Sequence, residues 1–121
     1  MAKILLVDDE KPIRLMLRTV LETEGHEVEE ALDGKEAIEN HRSRPADLLV
    51  TDIVMPDQEG IETIMLFREK YPDVKIIAIS GGGRNGWQSY LELAKKLGAA
   101  RTLAKPFSIE DFLAAVQGVL K

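Results

Sequence analysis

The 121-residue sequence predicts an α/β domain with a parallel sheet covered by helices on both faces. Three observations lead to that class. Short apolar runs such as Ile4-Leu5-Leu6-Val7 and Leu48-Leu49-Val50 have the length and continuity of strands buried on both faces. Segments with helical apolar spacing alternate with them, giving five strand–helix units. Asp8-Asp9 follows the first run, Asp52 the third, Ser80 ends the fourth, and Lys105 comes directly after Leu103-Ala104. In a parallel sheet these strand ends share one edge, the edge outside which open α/β sheets bind their ligands.

Taken in order, the first strand is expected over residues 3–8. A helix then opens at Pro12, a residue suited to the first turn, with Ile13, Leu17, Val20 and Leu21 on one side and Gly25 as its stop. The second strand, 26–32, is more polar and reads as a sheet edge. Asp33-Gly34-Lys35-Glu36 has the spacing of a capping box and starts a helix that turns Ala37, Ile38 and His41 inward. The third strand, 47–52, is the most apolar at its centre and belongs in the middle of the sheet. From about Gly60 a helix carries Ile61, Ile64, Met65 and then Phe67 or Arg68 along its buried face, until Tyr71-Pro72 ends it. A fourth strand over 74–80 leads through Gly81-Gly82-Gly83-Arg84-Asn85-Gly86 to a helix over 87–97, closed by Gly98. A short fifth strand, 100–104, precedes a helix that begins at Ser108, with Asp111 three residues on and a stripe of Ile109, Phe112, Leu113, Val116 and Leu120. These elements use residues 1–121 as one domain and leave nothing for an output domain.

Composition narrows the function. The chain is 45% hydrophobic and 31% charged, the profile of an ordinary soluble globular domain. A net charge of −5 disfavours a nucleic-acid surface, which needs clustered Lys and Arg. The absence of Cys removes disulfide scaffolds, Cys-type zinc sites and thiol catalysis, and fits a cytoplasmic location. No apolar run approaches the roughly 18 residues of a membrane span. His26 and His41 have no carboxylates at ligand spacing and read as structural or surface residues. The glycine-rich segment 81–86 lacks the Gly-Lys-Ser/Thr ending of a phosphate loop, and it follows the fourth strand.

The acids pose an electrostatic problem. Two like charges 4 Å apart at an effective dielectric near 20 repel by about 4 kcal/mol, a large share of a stability of about 5–15 kcal/mol. Crowding Asp8, Asp9 and Asp52 at one edge therefore calls for an offsetting cation. Mg²⁺ is the economical choice, since it takes oxygen ligands and is usually held by one or two carboxylates with phosphate oxygens. Glu10 lies close in sequence, although its longer side chain starts the turn toward solvent. Separately, each residue has a plainer role: Asp8 and Asp9 as acids at a helix N-terminus, Asp52 as a strand end, Lys105 as a surface cation. Their joint placement on one edge favours chemistry on a phosphoryl group.

With these residues in place, the chain resembles the receiver domains of bacterial two-component signalling. The segments that carry the resemblance are Lys3-Ile4-Leu5-Leu6-Val7-Asp8-Asp9-Glu10, Asp47-Leu48-Leu49-Val50-Thr51-Asp52-Ile53-Val54-Met55-Pro56, Gly60, Ser80 and Lys105-Pro106-Phe107. The resemblance implies a flavodoxin-like three-layer α/β/α fold with a five-stranded parallel sheet of order 2-1-3-4-5. It implies that Asp52 accepts a phosphoryl group from a histidine kinase or a histidine phosphotransfer protein. Asp9 and Asp52 would bind Mg²⁺ directly, Val54 through its backbone carbonyl, and Asp8 mainly through water. Ser80 would hydrogen-bond a phosphoryl oxygen and Lys105 would pair with the phosphate, its direction set by a bond before Pro106 that is commonly cis in such domains. The implied activity is modification of the chain's own Asp52 and not turnover of a separate substrate. The implied partners are the donor and an unknown downstream protein, with no nucleic acid or membrane, and the chain is expected to be a monomer. The face of the fourth helix, fifth strand and fifth helix usually carries the changed surface. The first helix usually docks the kinase, which makes Arg14, Met16 and Arg18 docking candidates or simply that helix's solvent side.

The chain also departs from the family pattern. Three residues before the active-site lysine the family usually has Tyr or Phe, and this chain has Thr102. Gly81 stands where Ala is common, and the pliable loop after it leads to the expectation that phosphorylation is read as order in residues 81–90. Trp87, Tyr90 and Leu91 beside it are core residues or a partner contact. Two rival functions belong to other classes. A degenerate receiver would act as a phosphorylation-independent docking module, a reading that Thr102 encourages. An aspartyl-nucleophile phosphohydrolase would want a second acid where Val54 stands.

Overall fold

The computed structural model of the chain describes residues 2–53, 59–80 and 87–120, and the side chains within them except those of residues 59 and 87–91. The elements alternate throughout: β1 (Lys3–Val7), α1 (Lys11–Thr23), β2 (Glu27–Ala31), α2 (Gly34–Ser43), β3 (Leu48–Asp52), α3 (Glu59–Lys70), β4 (Lys75–Ser80), α4 (Trp87–Lys96), β5 (Arg101–Ala104) and α5 (Ile109–Leu120). The strands form one parallel sheet in the order β2-β1-β3-β4-β5. Both the five-unit alternation and the expected order hold.

Strand alternation divides the core in two. Leu5, Val7, Leu49, Ile76 and Ala78 face a cluster with Ile38 of α2, Ile64 and Phe67 of α3 and Ala94 of α4. Ile4, Leu6, Val50, Ile77 and Ile79 face the other, with Leu17 and Leu21 of α1 and Phe112, Val116 and Val119 of α5. Successive strand residues point to opposite faces, so each continuous apolar run feeds both layers. β3 is buried along its whole length, as its central place requires.

Local signals set the helix ends. Asp33 accepts the Glu36 N–H at 2.8 Å, and Glu36 reaches back to the Leu32 N–H at 3.2 Å. The Ser108 hydroxyl accepts the Asp111 N–H at 3.0 Å. Gly25 (φ +91°) and Gly98 (φ +117°) close α1 and α4 in the left-handed region, each within a paired set of N–H contacts to the preceding turn.

Two apolar expectations shift. On α3 the buried face runs Ile61, Ile64, Phe67, while Met65 is 51% exposed and Arg68 lies outside. The Phe67 ring packs edge-on against His41 and tilted against Tyr71, and this aromatic set fixes the helix's rotation. On α5 the stripe begins at Phe112, because Ile109 is 46% exposed. Both histidines are structural. Buried His41 accepts the Ala46 N–H, and His26 accepts the Ala2 N–H. Among the described residues, no helix is long and apolar enough to cross a membrane.

Candidate functional site

Strand register brings the predicted residues to one edge. Asp52, the last residue of β3, pairs with Ile79, so Ser80 lies one step further along β4. Ser80 pairs with Ala104, and its carbonyl accepts the Lys105 N–H at 2.7 Å. On the other side, the Asp8 N–H reaches the Ala31 carbonyl at 3.3 Å and carries the β1 ladder one residue beyond the strand. The Lys105–Pro106 peptide is cis, as the resemblance implies. Gly60, near the start of α3, lies so close to β3 that an added Cβ would collide with the Asp52 carbonyl and the Ile53 Cα.

Lys105 ties the site together across the chain. Its ammonium lies 3.1 Å from Asp52 Oδ2, 3.3 Å from Asp8 Oδ2 and 3.3 Å from Glu10 Oε1. Asp8, Asp9, Glu10 and Asp52 each place a carboxylate oxygen within 4.8 Å of the others. Glu10 thus joins the cluster while remaining largely exposed, so its side chain does not simply turn away to solvent. Asp8 and Asp52 are both 4% exposed, whereas Asp9 is open to solvent.

The electrostatics follow from burial and charge crowding. Burial pushes the Asp8 carboxyl above its usual value, against the Glu10 N–H bonded to it and the nearby Lys105 charge, which both favour ionisation. Burial works against the Lys105 ammonium too. The Asp52 charge and hydrogen bond, followed by those of Asp8, outweigh it and hold the ammonium above its ordinary value.

Ser80 Oγ, at the same sheet edge, is buried and has no hydrogen-bond partner among the described residues. A buried unpaired hydroxyl is costly and rare, and a site that takes an oxygen-rich ligand gives it a purpose. Hard carboxylate donors fit Mg²⁺, so the residues present suit the implied ion. Val54, the glycine-rich segment 81–86 and the side chains of Trp87, Tyr90 and Leu91 lie outside what the structure describes. Thr102 is half-buried on β5.

One residue was misread from its position. Arg14 does not lie on the solvent side of α1, where the first-helix reading put it, because it is 8% exposed. Its Nη1 donates to the Asp8 carbonyl at 2.6 Å and its Nε to Glu30 at 2.9 Å. The signal lay in the spacing Arg14, Leu17, Leu21, which makes up the buried face of α1. Met16 is exposed and Arg18 is half-exposed, paired with Glu22 and Glu30.

A doubly wound α/β domain with acids and a lysine at the carboxyl ends of β1, β3 and β5 has the form of a class of domains whose ligand site lies outside that sheet edge. The chain belongs to the response regulator receiver domain family, whose pattern it matches over residues 4–117. It is 34% identical to the chemotaxis protein CheY of Thermotoga maritima, over 98% of this chain and 98% of that protein. It is 33% identical to the sensor kinase CckA of Brucella abortus over 99% of this chain, which spans only 13% of that kinase. The solved chemotaxis response regulator CheY4 of Vibrio cholerae superposes with a TM-score of 0.85 at 33% identity, covering 98% of each chain. Receiver domains take phosphate from sensor kinases and bind Mg²⁺ in an acidic pocket, and the family comprises signalling modules.

Proposed function

We propose that this chain is a phosphorylation-dependent response regulator whose acceptor is Asp52. The observation that carries the reading is the Lys105 ammonium bridging Asp52 and Asp8 at the sheet edge that also holds Ser80, whose buried hydroxyl has no partner among the described residues. The donor is the phosphohistidine of a sensor histidine kinase or of a histidine phosphotransfer protein. The chain acts on a separate protein partner, which the match along nearly all of the Thermotoga CheY supports.

Each residue type suits the chemistry. An Asp52 carboxylate oxygen attacks phosphorus in line, the bond from phosphorus to the donor imidazole nitrogen breaks, and an acyl phosphate forms. Phosphoryl transfer gains mainly from positioning and charge neutralisation, so no general base is required. Asp9 and Asp52, with Asp8 through water and Val54 through its carbonyl, would hold Mg²⁺, which supplies charge neutralisation of the phosphoryl oxygens when bound. Lys105 exchanges its resting carboxylate contacts for the phosphoryl group, and the Ser80 hydroxyl donates to a phosphoryl oxygen. The added charge of about −1.5 to −2 falls at the carboxyl edge of the sheet, beside Lys105.

Incubation with acetyl phosphate and Mg²⁺ tests the reading. Intact-mass spectrometry is expected to show one stable phosphoryl adduct in the wild type and none in Asp52→Asn. Rapid multiple turnover would instead identify a hydrolase, and no modification a phosphorylation-independent docking module.

A further inference from the structure

We infer that Arg14, held by Glu30, is a positioning residue for the metal-binding acids. The inference rests on the proposed Mg²⁺ site. The Asp8 carbonyl belongs to the peptide that joins Asp8 to Asp9. That unit is planar and includes the Cα atoms of both residues, so one hydrogen bond to its oxygen restrains the origin of two acidic side chains. The 2.6 Å bond from Arg14 Nη1 is buried, and it spans the turn from β1 into α1. Asp8 Oδ1 also accepts the Glu10 N–H at 2.8 Å, so the acid-bearing turn is held at its carbonyl and at a carboxylate.

Glu30 completes the clamp from the neighbouring strand. It sits on β2 opposite Leu6 in the register. Its Oε1 accepts from Arg14 Nε at 2.9 Å and its Oε2 from Arg18 Nη1 at 2.8 Å. The Arg18 hydrogen bond, ahead of the Arg14 bond, holds the Glu30 carboxyl below its usual value despite burial, so it stays an anion facing both guanidiniums. A buried guanidinium without a counterion is strongly disfavoured, and its planar fork reaches a carboxylate and a carbonyl together, which lysine cannot reproduce.

Charge and geometry predict opposite signs for removal of Arg14. Arg14 adds a positive charge near the cation site, so a purely electrostatic role predicts tighter Mg²⁺ binding in Arg14→Met. A positioning role predicts weaker binding, and residues behind metal ligands typically contribute roughly 10- to 100-fold in affinity. The test is a titration with Mg²⁺ alone, followed by amide chemical shifts, on the wild type, Arg14→Met, Arg14→Lys, Glu30→Gln and the remote core variant Val119→Ala. The dissociation constant is expected to rise roughly tenfold in both Arg14 variants, less in Glu30→Gln, and to stay unchanged in Val119→Ala. Should Arg14→Met fail to fold, as its spectrum will show, the other two clamp variants decide. Unchanged or tighter binding in the folded Arg14 and Glu30 variants overturns the inference and leaves the metal site intact. Weakening in Val119→Ala as large as in the clamp variants also overturns it, since general destabilisation would then explain the loss. Absence of Mg²⁺ binding in the wild type removes the metal site and the clamp with it.

Discussion

Asp8 and Lys105 show how function sets the stability of single side chains. The Asp8 carboxyl is raised by burial, so the folded protein holds that proton more tightly than the unfolded chain does. An acid of this kind adds stability at low pH and loses that contribution as pH rises through its folded-state value. At neutral pH the Asp8 charge is therefore a net cost in the metal-free protein. Asp8→Asn keeps the acceptor for the Glu10 N–H and removes the charge. Its metal-free melting temperature at pH 7 is expected to exceed the wild type's by about 2–8 °C, with the gap narrowing toward acid pH and the stabilisation by Mg²⁺ reduced. Differential scanning calorimetry with and without Mg²⁺ reads all three. A lower melting temperature in the variant would mean that the Lys105–Asp8 pair outweighs the burial of the charge.

The link between β3 and α3 shows how one element places another's active group. The carbonyl of the strand's last residue and the Cα of Ile53 leave no room for a side chain at Gly60, so the helix start lies directly against the strand end that bears Asp52. Gly60→Ala would force the two backbones apart, and overpacking of this kind costs about 1–3 kcal/mol. We expect a lower urea midpoint together with slower phosphorylation of Asp52 by acetyl phosphate. The Gly25→Ala substitution offers a contrast: an added Cβ there meets nothing within 4 Å, and the cost arises from the positive φ alone. That variant should therefore lose stability while keeping its phosphorylation rate. Equal slowing in both variants would show that the rate follows global stability and not the β3–α3 approach.

For the domain as a whole, two apolar layers separated by the sheet carry the stability, and His41 is a titratable group packed against one of them. It is buried against Phe67 and Tyr71, and burial lowers its pKa. In the unfolded chain it titrates near its ordinary value of about 6.5. Below that pH the unfolded state binds the proton first, so this contribution is intact above about pH 6.5 and is lost as pH falls. The slope cannot exceed about 1.4 kcal/mol per pH unit for one proton. Urea unfolding at pH 7.5 and 5.5 should show a fall in stability for the wild type that is smaller in His41→Gln, whose amide oxygen can still accept the Ala46 N–H. Parallel losses in the two proteins would refute the assignment to His41.

Much of this architecture is written locally along the chain. Apolar runs of strand length, the Asp33–Glu36 box, Ser108, and the glycines at 25 and 98 each act within a few residues, so periodicity and capping chemistry determine the elements from the sequence. The acids after Val7 and Thr51 and the lysine after Ala104 were legible for the same reason, because strand ends of a parallel sheet share one edge. Side-chain partners were not legible in this way. Lys105 meets Asp8 across 97 positions of sequence, and Arg14 meets Glu30 across 16. Those contacts depend on strand register and on the rotation of each helix against the sheet, which packing settles: Phe67 displaces Met65 from the buried face, and Arg14 turns inward to the peptide between two acids. Neighbours along the chain decide which element forms, whereas neighbours across the core decide what each side chain touches, and that second set exists only once the layers have closed.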